Sequence, residues 1–149
     1  MKETQFNEYY SEANLLKRKG EHPKAIEVLD FLLSDKVELS KEQQASVKWL
    51  LSYLYLTIKK YKEAEILAEF VLKDSIENIR DGQKTRVADA YILLARVLYK
   101  SDSFQRSLDC VNKALPIFEA YQSKESSNLV SVKSFQEHLR KRVRENSSI

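Results

Sequence analysis

Three segments of the chain fall into one register: HPKAIEVLDFLL (22–33), YKEAEILAEFVL (61–72) and FQRSLDCVNKAL (104–115). One column of that register holds only small residues, Ala25, Ala64 and Ser107, spaced by 39 and then 43 residues. Carried upstream, the same register gives a second small column: Ala13, Ser52 and Ala95. Larger residues agree as well, in the columns Leu16/Tyr55/Leu98, Leu15/Leu54/Val97, His22/Tyr61/Phe104 and Leu33/Leu72/Leu115. Self-similarity at this period marks stacked supersecondary units, none of which buries its apolar face alone. Two small columns, one in each half of the unit, mark where two backbones approach closely.

Each half of the unit reads as a helix. Val47, Leu50, Leu51, Leu54, Tyr55 and Ile58 make one apolar stripe at helical spacing, and Val87, Ala90, Tyr91, Leu94, Ala95 and Leu98 repeat it. Phe104, Leu108, Val111, Leu115 and Phe118 make a third, and no sustained alternation of period two appears. The fold class is therefore all-α, with seven helices: three hairpins and a closing helix. The turn signals agree. KGEHPK puts Gly20 at a helix end and Pro23 in a first turn. Ser40 and Gln43 form a capping box, and Gly82 offers a helix stop. Asp102 or Ser103 offers the next N-cap, whereas KKYKE turns with no glycine. Pro116 lies inside the third stripe, where a kink or a restart of the helix is expected. QSKESSN reads as a loop before a last helix carrying Leu129, Val132, Phe135, Leu139 and Val143 on one face.

Composition narrows the class. The chain has 149 residues, 32% charged and 43% apolar, which suits one globular domain. No segment reaches the roughly 18 apolar residues of a membrane span. MKETQFNEYYSE is too acidic and polar for a signal or transit peptide. The single Cys110 excludes an intramolecular disulfide, so a cytoplasmic location is expected, or a nuclear one in a eukaryote. The formal charge of +3 is mild.

The small columns, the aromatic at the turn and the large residue three positions after the first small one resemble the tetratricopeptide repeat (TPR) family. The resemblance covers residues 6–118. The spacing exceeds the family's usual period of about 34 and is similar to long-repeat variants. No glycine occupies the first small column, Glu12 and Lys48 replace apolar residues, and no proline closes a repeat. The resemblance implies a single domain over 1–149, a right-handed α-solenoid. Its three hairpins would span about 6–38, 40–80 and 84–121, with a solvating cap at about 126–145. HEAT-type repeats, with periods of about 40–47 residues, are the alternative fold.

Chemistry is sparse. His22 and His138 stand in different segments, and no C-x-x-C, H-E-x-x-H or glycine-rich phosphate loop occurs. No metal, cofactor or catalytic role is expected, and Cys110 reads as a small core residue. The expectation is a non-enzyme.

Transferring TPR geometry gives an inner groove. It is lined by Asn7, Tyr10, Asn14, Lys17 and Arg18 in the first hairpin, and by Ser46, Trp49, Tyr53 and Thr57 in the second. Asp89, Arg96, Tyr99 and Lys100 follow in the third. Rigid aromatics among basic groups suit an extended or helical segment of another protein carrying apolar and acidic groups. Packing of Trp49 and Tyr53 on a neighbouring hairpin is the alternative. Members of the family that hold chaperone carboxylates use lysine, arginine and asparagines at set positions. Only Asn14 falls on one, and the others read Tyr10, Leu50, Asp89 and Leu93, which argues against that ligand. A second feature is HLRKRVRE (138–145), where Arg140, Lys141, Arg142 and Arg144 could contact nucleic-acid phosphates. The favoured reading is that they suit the negative end of a helix dipole and keep the cap soluble, because no aromatic platform accompanies the basic run. Self-association through an uncapped first helix is a third expectation.

Overall fold

The computed structural model describes residues 1–79 and 84–147. Among these described residues there are seven helices: α1 (Glu3–Arg18), α2 (His22–Leu32), α3 (Lys41–Thr57), α4 (Tyr61–Glu77), α5 (Lys84–Lys100), α6 (Phe104–Tyr121) and α7 (Ser127–Ser147). No strand occurs among the described residues, so the all-α class and the helix count stand. None of these helices is long and apolar enough to cross a membrane. Two compact units divide the chain, Met1–Leu67 and Ala68–Ile149, with the boundary inside α4.

In the first unit α1, α2 and α3 pack pairwise around Phe6, Ala13, Ala25, Leu29, Leu32, Val47, Leu51 and Leu54. In the second, α6 packs against both α5 and α7, burying Ala95, Leu108, Val111, Leu115, Phe118, Leu129, Val132 and Leu139. From Val47 onward these are residues of the apolar stripes, and Phe6, Ala13, Ala25, Leu29 and Leu32 extend the same core onto α1 and α2.

The small columns meet inside each hairpin. Ala13 and Ala25, Ser52 and Ala64, and Ala95 and Ser107 are all at 0% exposure. Where one of the two is serine, its hydroxyl spans the crossing. Ser52 Oγ donates to the Ala64 carbonyl at 2.8 Å, and Ser107 Oγ donates to the Ala95 carbonyl at 2.6 Å. A buried hydroxyl needs a partner, and a helix carbonyl has a spare lone pair to offer.

The turns repeat too. Gly20, Lys59 and Asp102 have φ of 78°, 66° and 64°. The amide one residue later bonds back to the Leu16/Tyr55/Leu98 column, as Glu21 N to Leu16 O at 2.9 Å, and both Lys60 N to Tyr55 O and Ser103 N to Leu98 O at 2.8 Å. The left-handed residues' own amides bond Lys17, Leu56 and Tyr99 carbonyls. This is the Schellman closure, written once with glycine and twice without. Asp102 is thus the residue that ends α5. Ser103 holds the N-cap position of α6 but makes no side-chain cap bond. The Ser40–Gln43 capping box forms in both directions. The expected stop at Gly82 lies outside the described residues.

Of the two outcomes expected at Pro116, the restart is excluded, because the proline sits inside the continuous α6. Val111, Ala114, Leu115 and Phe118 are buried on both sides of it, and that packing outweighs the roughly 3 kcal/mol an interior proline costs.

Two stability predictions follow from the crossings and turns, both measurable by urea unfolding. Ala64→Leu would overfill a closed crossing and destabilise by about 1–3 kcal/mol. Lys59→Gly would relieve a left-handed side chain and stabilise by about 0.5–1 kcal/mol.

Candidate functional site

In the first unit, the expected groove residues lie on α1 and α3, and the structure sorts them. Tyr10 is half-buried: its ring stacks on Phe6 at 5.5 Å and its hydroxyl donates to the Ser46 carbonyl at 3.4 Å. Burial pushes its phenol above the ordinary range. Asn14 Nδ2 donates to the Tyr10 carbonyl at 3.1 Å. These two side chains therefore tie α1 together and to α3. The accessible chemistry is elsewhere. Lys17 Nζ lies 4.5 Å from the ring centroid of Tyr53, which is 38% exposed. Such a pair is worth about 0.5–1 kcal/mol at an exposed site, enough to hold an ammonium and an aromatic face in a fixed relation. Trp49 is half-buried on α3, whereas Asn7, Arg18 and Thr57 are exposed.

In the second unit, Asp89, Arg96 and Lys100 are exposed on α5, and Tyr99 is half-buried. The Tyr99 ring meets Phe135 edge-on at 5.7 Å, His138 at 5.4 Å and Phe104 at 5.7 Å. Its hydroxyl lies 2.8 Å from His138 Nε2. Tyr99 is therefore the joint between α5, α6 and α7. Sequence reasoning missed His138, because spacing within α7 does not say which of its flanks meets α5. The one available signal was its place a turn after Phe135 and a turn before Arg142.

The basic run is divided. Arg140 pairs with Glu137, and Arg142 Nη1 lies 3.8 Å from Glu145 Oε2. The Arg142 guanidinium also lies 4.6 Å above the Phe104 ring, half-buried, with its Nε lacking a hydrogen-bond partner. Lys141 and Arg144 are exposed. Helical spacing puts Arg140 and Arg144 on one flank and His138, Lys141 and Arg142 on another, so the run does not form one patch. A cleft of about 610 Å³ between α6 and α7 adds little. Gln136 donates to Asn112 across it at 2.8 Å, and Glu137 and Arg140 satisfy each other on its rim.

Cys110 is half-buried on α6 against the second unit's core. Burial, only partly countered by Lys113 and Arg106, pushes its thiol up to about 11. The thiolate fraction near pH 8 is correspondingly small. Cys110 is expected to react with iodoacetamide at least about tenfold more slowly than a free cysteine at pH 8. Unfolding in urea should abolish the difference, as followed by mass spectrometry.

No family model matches the chain, and no curated protein matches it significantly. Among solved structures, the chain is similar in fold to the crystal structure of BtubC (BKLC) from P. vanneervenii. The TM-score is 0.69 at 23% identity, over 85% of this chain. The chain spans about half of that protein's length, 51%. At this identity the likeness shows the helical fold alone.

Proposed function

We propose that this chain is a non-catalytic protein-interaction module, a TPR-like right-handed solenoid that serves as an adaptor, scaffold or assembly subunit. The observation that carries the reading is the Lys17–Tyr53 pair of the first unit, which joins α1 to α3, the helix that also carries Trp49. Cation, phenol and indole are held by helices already packed, which lowers the ordering cost of binding a partner segment. Three further facts support it. The hairpins share a small-residue crossing and a Schellman turn, which supports reading them as copies of one repeat unit. The fold likeness to BtubC extends over most of the chain. The thiol of Cys110, raised to about 11, is far from the thiolate a nucleophile needs.

A Lys17→Ala/Tyr53→Ala variant tests the reading. Both side chains are at the surface or half-buried, so circular dichroism and urea midpoint should stay close to those of the parent protein. Affinity capture from native extract should return partners with the parent chain, and the variant should hold them at least about tenfold more weakly. Undiminished capture by the folded variant would remove this surface from consideration.

A further inference from the structure

We propose that the corner where α5 meets α7 in the second unit is a docking surface for a carboxylate-rich segment of a partner protein. The inference rests on reading the chain as a protein-binding module, and it adds α7 to the recognition surface. Residues 1–67 hold equal numbers of basic and acidic side chains, so the first unit is formally neutral and the whole +3 lies in the rest of the chain. Within residues 138–145, four basic side chains face a single acidic one, Glu145.

The Tyr99–His138 contact, 2.8 Å between hydroxyl and Nε2, brings the last turn of α5 beside this segment. On α5, Arg96 lies one turn before Tyr99, and Lys100 follows it with Nζ 5.9 Å from the Tyr99 ring. On α7, Lys141 lies one turn after His138. Arg96, Lys100 and Lys141 are exposed, and no ion pair among the described residues holds any of them. The acidic neighbours on α7 are already engaged, Glu137 by Arg140 and Glu145 by Arg142. Two helices from different parts of the chain thus converge with uncompensated cations on a rigid aromatic joint. Such a field attracts anionic partners and fixes their register.

The same corner distinguishes an acidic protein from a nucleic acid. Binding of single strands relies on open ring faces for bases to stack on. Here Tyr99, Phe104 and Phe135 are spent on one another, on His138 and on Arg142. The cations remain for carboxylates, without a stacking platform for bases.

Fluorescence anisotropy with the full chain tests this. The probes are a labelled oligo-glutamate peptide of about ten residues, a Gly/Ser peptide of equal length, and a single-stranded RNA of equal length, at about 50 mM salt. Saturable binding of the glutamate peptide is expected, stronger than for either other probe. It should weaken at least about tenfold in Lys100→Ala/Lys141→Ala, and change less than about twofold in Lys36→Ala/Lys62→Ala, which removes two exposed lysines of the neutral unit. Circular dichroism controls the fold of each variant. Absence of saturable binding, equal loss in the two double variants, or tighter binding of RNA would each overturn the proposal. Loss of captured partners by Lys17→Ala/Tyr53→Ala is read separately. It can stand while the α5–α7 proposal fails, or fail while that proposal stands.

Discussion

Everything in the two units hangs on how closely paired helices can cross. At each crossing both residues are alanine or serine, and none retains any exposure. A larger side chain there would hold the backbones apart, and the stripes on either side would no longer reach each other. The serines show how tight the approach is. A hydroxyl carried on one Cβ reaches a backbone carbonyl of the facing helix directly, in one hairpin from the first helix and in the next from the second. The direction of that bond is exchanged while the crossing is kept. The geometry therefore belongs to the repeat, and the hydrogen bond is a local way of filling it.

The turn geometry follows the same logic, and it marks where sequence stops being a sufficient guide. The crossing columns were legible because only small residues fit them, so composition and geometry coincide. The Schellman turns were legible only at Gly20. Lysine has no preference for the left-handed region, so Lys59 gave no signal. Asp102 gave a misleading one, since aspartate favours both N-caps and left-handed backbone. At Pro116 the sequence left a kink and a restart both open, and burial of the turns around it keeps the helix in one piece. A property of the residue type could be read in each case, but a property imposed by the rest of the chain could not.

The surface was less legible than the core, for a related reason. The TPR resemblance assigned Tyr10, Asn14, Tyr53 and Tyr99 to one groove, yet they have different uses. Tyr10 and Asn14 bond backbone carbonyls and Tyr99 holds three helices together, while Tyr53 presents its ring with Lys17. Polar side chains are indifferent between water and a well-placed partner, because the net gain from an exchanged hydrogen bond is only about 1 kcal/mol. Small differences in local geometry then decide which tyrosine is scaffold and which is display. The basic run of α7 shows the same sorting, with Arg142 drawn onto Phe104 and Lys141 left in water.

The repeat register also separates the roles of the first helices. Positions occupied in α3 by Val47, Leu50 and Leu51, and in α5 by Ala90, Leu93 and Leu94, are all buried. In α1 the same positions carry Glu8, Ser11 and Glu12, all exposed. A face so written gains nothing by leaving water, because two carboxylates would have to be desolvated without partners. The replacement at Glu12 that looked like a departure from the repeat pattern is thus a consequence of position. It keeps that flank of α1 solvated and argues against association through it, and it leaves Leu15, 45% exposed, as an isolated apolar side chain of the kind that ordinary protein surfaces carry.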